Sequence, residues 1–205
     1  MAGTMPHAIF IETNADGEGG CAAYAAELPG CAVFASTDDE AAAAMPRRVE
    51  RFGAWLRERG EVAPTFVGDN WYEVERAAAV AEDGALRRAA FTLDELSPSD
   101  AEFTQYLGWL ELAREELADA LDAMDGPVPD AVRRIADQDE RFSRTLGGEP
   151  VVASEDAIDR LYAAREVLTD ALAAAGPTAD GVRRVFRLAI ADDLELADRL
   201  RGVAG

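Results

Sequence analysis

The chain has 205 residues, 49% of them hydrophobic, with 40 acidic residues against 20 basic ones and a net charge of −20; it is long enough for one large domain or two modest ones with a real core. All 20 basic residues are arginine, which excludes Schiff-base chemistry, a pyridoxal anchor and a P-loop lysine. His7 is the only histidine and Cys21 and Cys31 the only cysteines, so a histidine metal cluster, a Ser–His pair away from the N-terminus, a disulfide framework and a thiolate zinc site are excluded as well.

So acidic a surface repels phosphate backbones, and no nucleic-acid partner is expected; a basic protein surface would be attracted. No apolar run approaches the length of a membrane span, and the first residues, MAGTMPHAIF, lack a basic stretch followed by an apolar core. The expectation is a cytoplasmic protein with no membrane partner.

In chain order, His7–Glu12 (HAIFIE) is a strand candidate and Thr13–Gly20 is turn material. Cys21–Glu27 and Cys31–Ser36 flank Leu28-Pro29-Gly30 and predict a hairpin. That pairing sets Cys31 opposite residue 26 or 27 and Cys21 near residue 36 or 37, out of register for a disulfide. Thr37 and Glu40 form a capping box opening a helix that runs to about Arg59, with Val49, Phe52, Trp55 and Leu56 inward. Pro46 should kink that helix or displace its start. After Gly60, Pro64–Gly68 and Trp71–Val80 supply further strand residues.

This β-β-β-α-β order, with the run Tyr24-Ala-Ala-Glu-Leu-Pro-Gly-Cys31 and the downstream Thr37-x-x-Glu40-Ala41, resembles the HicB-like antitoxin domain. The resemblance implies a small αβ sandwich over residues 1–80 that pairs with a basic toxin or self-associates. A homodimer through this domain is the corresponding expectation, since its strands leave an edge free for pairing.

Residues 81–98 read as a linker that ends in a helix-start signal, Ser97-Pro98-Ser99-Asp100. Helical patterns then cover about 99–124, 130–146, 154–174 and 182–201, separated by Gly126-Pro127, Gly147-Gly148 and Gly176-Pro177. Their inward stripes are Phe103, Leu107, Leu110, Leu117 and Leu121; Val132, Ile135, Phe142 and Leu146; Ile158, Leu161, Leu168 and Leu172; and Val182, Val185, Ala189, Leu196 and Leu200. Residues 99–205 therefore predict a four-helix bundle, and the whole chain an α+β protein.

Three charged residues interrupt these stripes: Asp139 on the second helix, Arg165 on the third and Asp193 on the fourth. A carboxylate on a buried face must find a cation or donors, because desolvating it alone costs several kcal/mol. The economical solution is that Arg165 bridges Asp139 and Asp193, a task that suits a guanidinium fork.

The runs Arg134-Ile-Ala-Asp-Gln-Asp-Glu-Arg-Phe142 and Arg184-Val-Phe-Arg187 through Asp193 to Leu200, together with Leu93–Leu117, resemble the DinB-like superfamily. Members commonly hold a divalent metal through three histidines, and some are thiol-dependent transferases or isomerases. By that resemblance the histidine positions fall at Arg134, Asp192 and Leu196, of which only Asp192 can ligate a metal. No metal and no cofactor are expected.

Three readings of the function follow, and whether the chain is an enzyme stays open among them. In the first, the protein is a metal-independent accessory or small-molecule-binding protein, with Gln138, Asp139, Arg165 and Asp193 lining the bundle interior. In the second, a metal-independent transferase, isomerase or cyclase uses that cavity, with Arg134 as a fixed cation and Asp192 as the acid–base group. A third, antitoxin-like role toward a basic protein rests on the first domain and the overall charge.

Overall fold

In the computed structural model, which describes residues 7–63, 71–82, 85–151 and 154–203, the run HAIFIET forms strand β1 (His7–Thr13). The chain turns back through Gly17 and Gly19, both at positive φ, and continues antiparallel as β2 (Cys21–Ala25) and β3 (Ala32–Ala35). Gly30, at φ 87°, makes the turn between them, a conformation that costs a glycine least. Helix α1 (Asp38–Glu58) then packs on β1, β2 and β3. It delivers β4 (Trp71–Ala78) parallel to β1, for the sheet order β3-β2-β1-β4. A parallel neighbour needs such a crossover.

Of the capping box expected at the start of α1, the Thr37 half forms, with Thr37 Oγ1 accepting the Glu40 N–H at 3.3 Å. Pro46 neither breaks the helix nor moves its start. An interior proline costs about 3 kcal/mol; Ala41, Met45, Val49, Phe52 and Leu56, all buried, form an apolar stripe long enough to hold both halves in place. The β2–β3 register is tighter than the sequence suggests: Cys21 lies opposite Ala35, and the Cys31 carbonyl accepts the Ala25 N–H. Both thiols are free and buried, and burial pushes the Cys31 thiol up to about 12. Native protein should therefore react negligibly with a thiolate-selective reagent at neutral pH, and denaturation should expose both thiols. Rapid labelling of Cys31 in the folded state would contradict its position.

The segment expected to be a linker is built into structure. It forms a hairpin of β5 (Val80–Glu82) and β6 (Ala85–Arg87), and residues beyond it cover the sheet. Alternation puts Phe10 and Glu12 of β1 on one face, beside Tyr24 of β2, which pairs with Phe10. Phe91 stacks on Phe10 at 4.9 Å between ring centroids. Glu12 is fully buried and accepts from Tyr24 Oη at 2.7 Å and from Arg88 Nε and Nη2 at 2.9–3.1 Å, as well as from the Ala89 N–H. The chain divides into two compact units only after this point, between Leu93 and Asp94. Of the expected strand residues, Pro64–Gly68 lie outside the described residues.

The second unit holds four helices, α2 (Asp100–Asp122), α3 (Asp130–Thr145), α4 (Ala157–Ala175) and α5 (Val182–Leu200). Ser99 and Glu102 form a complete capping box at the start of α2. The closest pairs are α2 with α5 and α3 with α4, and α3 also meets α5. Helix α5 is the most deeply set: Val185 through Ala191 are buried without a break. Its Arg187 is one of these, and it donates from Nε and Nη2 to both oxygens of Asp94, at 3.1 and 2.6 Å. Asp94 lies in the 3-10 turn Thr92–Glu95, so this pair fastens the start of the unit to its central helix.

Candidate functional site

The charged residues that break the apolar stripes meet in one place, and a fourth joins them. Arg114 of α2, Asp139 of α3, Arg165 of α4 and Asp193 of α5 are all buried, the two carboxylates completely. Arg165 donates to Asp139 from Nε (3.0 Å) and Nη2 (3.3 Å), and its Nη2 lies 3.1 Å from Asp193. Arg114 donates to Asp193 from Nε (3.0 Å) and Nη2 (3.1 Å), and its Nη2 reaches Asp139 at 2.9 Å. The remaining nitrogen of each guanidinium is taken by a backbone carbonyl, Leu161 for Arg114 at 3.0 Å and Leu110 for Arg165 at 3.3 Å.

Each carboxylate oxygen accepts at least one of these bonds, and two arginines balance two aspartates. The result is a closed, neutral square. Desolvation disfavours the charge on Arg165, but Asp139 and Asp193 outweigh it and hold its pKa above the usual arginine value. Burial pushes the Asp193 carboxyl up although Arg114 and Arg165 pull it down.

The other residues that the sequence singles out lie elsewhere. Gln138 is buried and donates from Nε2 to Asp192 at 2.7 Å, joining α3 to α5 beside the square. Asp192 is half-buried. Glu195, one turn along α5, has its carboxyl pushed up by burial, with Arg199 pulling the other way. Arg134 is exposed on α3, because it stands on the side of that helix opposite Asp139. The role of interior cation falls instead to Arg114 and Arg165. Leu196, the third position named with Arg134 and Asp192, is buried in apolar contacts. Among the described residues no group of three or more His, Cys, Asp or Glu is placed to hold a metal ion.

Arg114 is the residue that sequence reasoning passed over, and its signal was present. The stripe of α2 steps from Leu110 to Leu117, and position 114 lies four beyond one and three before the other. An arginine there is as much a stripe violation as Arg165. It also resolves the charge balance, since one arginine between two aspartates would have left a net negative charge in the core.

Comparison with family models, with curated proteins and with solved structures gives no match. What the fold and the site define is a class: an α+β protein with a small mixed sheet backed by one helix, and a helical unit closed around a neutral ion square. No helix among the described residues is long and apolar enough to cross a membrane.

Proposed function

We propose that this is a metal-independent accessory protein that acts by binding, with a HicB-like module joined to a DinB-like bundle from which the metal-binding histidines have been lost. One observation carries the reading. The square uses the hydrogen-bonding groups of its own four side chains, so the bundle interior has a structural use for its charges rather than offering them to a substrate. Recognition then belongs to the outer surface, where a net charge of −20 favours a basic protein and disfavours nucleic acid. Self-association through the first module fits the same reading.

A second reading keeps a small-molecule site, supported by the pair Gln138–Asp192 with Glu195 beside it. Here a half-buried carboxylate and an acid of raised pKa stand at the edge of the square. A thermal-shift panel of mono- and dicarboxylates, thiols, Zn²⁺, Ni²⁺ and Fe²⁺ separates the two. The first reading expects no compound to raise the melting temperature, whereas a ligand at a hundred times its Kd adds about 2.7 kcal/mol of stability. A rise of several degrees that Asp192→Asn abolishes would replace the first reading with the second. Equilibrium dialysis should likewise leave the purified protein without stoichiometric zinc, nickel or iron, and one tightly held equivalent would contradict the loss of the site.

A further inference from the structure

We infer that the helical unit is one helix–loop–helix hairpin used twice, α2–α3 and α4–α5, docked on itself about a two-fold axis through the arginine square. The α2–α3 hairpin therefore carries a docking surface whose fitting partner is a second copy of the same hairpin, supplied within this chain by α4–α5.

The chain itself shows the repeat. AREELADALDAMDGPVPDAVRRI, residues 113–135, returns as AREVLTDALAAAGPTADGVRRV, residues 164–185, with one residue fewer before the Gly-Pro of the loop. Burial repeats with it: Ala113 and Ala164, Leu117 and Leu168, Ala120 and Ala171, Leu121 and Leu172, and Val132 and Val182 are all buried. Arg114 and Arg165 are the same position in the two copies, and so are Leu110 and Leu161, four residues before each arginine.

The hydrogen bonds then repeat atom for atom. Nη1 of Arg114 donates to the Leu161 carbonyl and Nη1 of Arg165 to the Leu110 carbonyl. Nε of Arg114 bonds Asp193 Oδ2 while Nε of Arg165 bonds Asp139 Oδ2. Nη2 of each arginine bonds Oδ1 of that same aspartate and also meets Oδ2 of the other. Contact of i with j matched by contact of j with i is the signature of an isologous, two-fold interface. The helix pairs obey the same operation, since exchanging the hairpins turns α2·α5 into α4·α3 and leaves α3·α5 unchanged.

The copies differ in one respect. Arg134 precedes Asp139 by five residues and Arg184 precedes Asp193 by nine, so α5 carries about one extra helical turn, which returns its carboxylate to nearly the same face. By the same offset Gln138 and Asp192 become equivalent, and they meet each other across the axis. A glutamine opposite an aspartate satisfies the pair with one N–H donor, whereas two aspartates would set like charges together.

The test uses full-length variants and thermal melts. Arg114→Lys and Arg165→Lys should lower the melting temperature equally, within about 3 °C, because each loses the same set of bonds. Gln138→Asp alone should lower it, and Gln138→Asp with Asp192→Gln should return it to within about 3 °C of wild type. A larger difference between the lysine variants, or an exchanged pair no better than Gln138→Asp alone, would overturn the two-fold assignment. If either lysine variant does not fold, the Gln–Asp exchange decides by itself.

Discussion

Arg114→Leu is expected to destabilise the helical unit by about 3–5 kcal/mol, the loss typical when one partner of a buried ion pair is removed. Its guanidinium supplies bonds to both aspartates and to the Leu161 carbonyl. Without it Asp193 keeps only its contact with Arg165, and two buried carboxylates share a single cation. Urea denaturation followed by circular dichroism measures the loss. Arg165→Leu should behave alike. A loss below about 1 kcal/mol, the range of exposed pairs, would mean that water reaches the square.

In the first unit the largest effect belongs to Glu12→Ala, for which we expect a loss of about 3–5 kcal/mol. Tyr24 Oη, Arg88 and the Ala89 N–H would lose their common acceptor at once. The segment that bears Arg88 and Phe91 lies over the sheet through this carboxylate and the Phe10–Phe91 stack, so hydrogen exchange should quicken first at residues 85–91. Unchanged protection there would show that aromatic packing alone holds the segment. Glu12→Gln keeps the volume and part of the hydrogen bonding, and should cost less than Glu12→Ala.

The strands and helices were legible because the chain is locally consistent. Alternation in HAIFIE, the helix-start signal Ser97-Pro98-Ser99-Asp100 and the Gly-Pro stops all agree with the elements that form. Arg165 between Asp139 and Asp193 was legible for a related reason: a charge on an apolar stripe has few ways to be satisfied, and complementary charges on three stripes point at one another. Arg114 was not read because the stripe of α2 is dense enough in leucine to be drawn without it, although its spacing equals that of Arg165. Arg134 was misplaced because the resemblance, rather than periodicity, set it inside; the stripe through Asp139 leaves it outside.

The segment after β4 misled for a different reason. Its charges, Glu82, Arg87 and Arg88, read locally as solvent-exposed, and the partner that buries Arg88 is Glu12, 76 residues earlier. No local pattern announces such a contact. The same holds for Asp94 and Arg187, 93 residues apart. Pro46 shows the converse: a local stop signal lies within a helix that runs on through it, with its start where Thr37 sets it.

The square acts as a closed structural device, its charges satisfying one another. The most direct measurement is the stability of the full-length variant Arg114→Met, Asp139→Leu, Arg165→Met, Asp193→Leu against that of Arg114→Leu. Replacing a whole buried ion cluster by apolar residues of similar volume is often neutral, or stabilising by about 1–4 kcal/mol. The fourfold variant should therefore unfold in urea within about 2 kcal/mol of wild type, or above it, and well above the single variant. A fourfold variant no more stable than Arg114→Leu would contradict this, because the bundle would then need these charges for something other than satisfying one another.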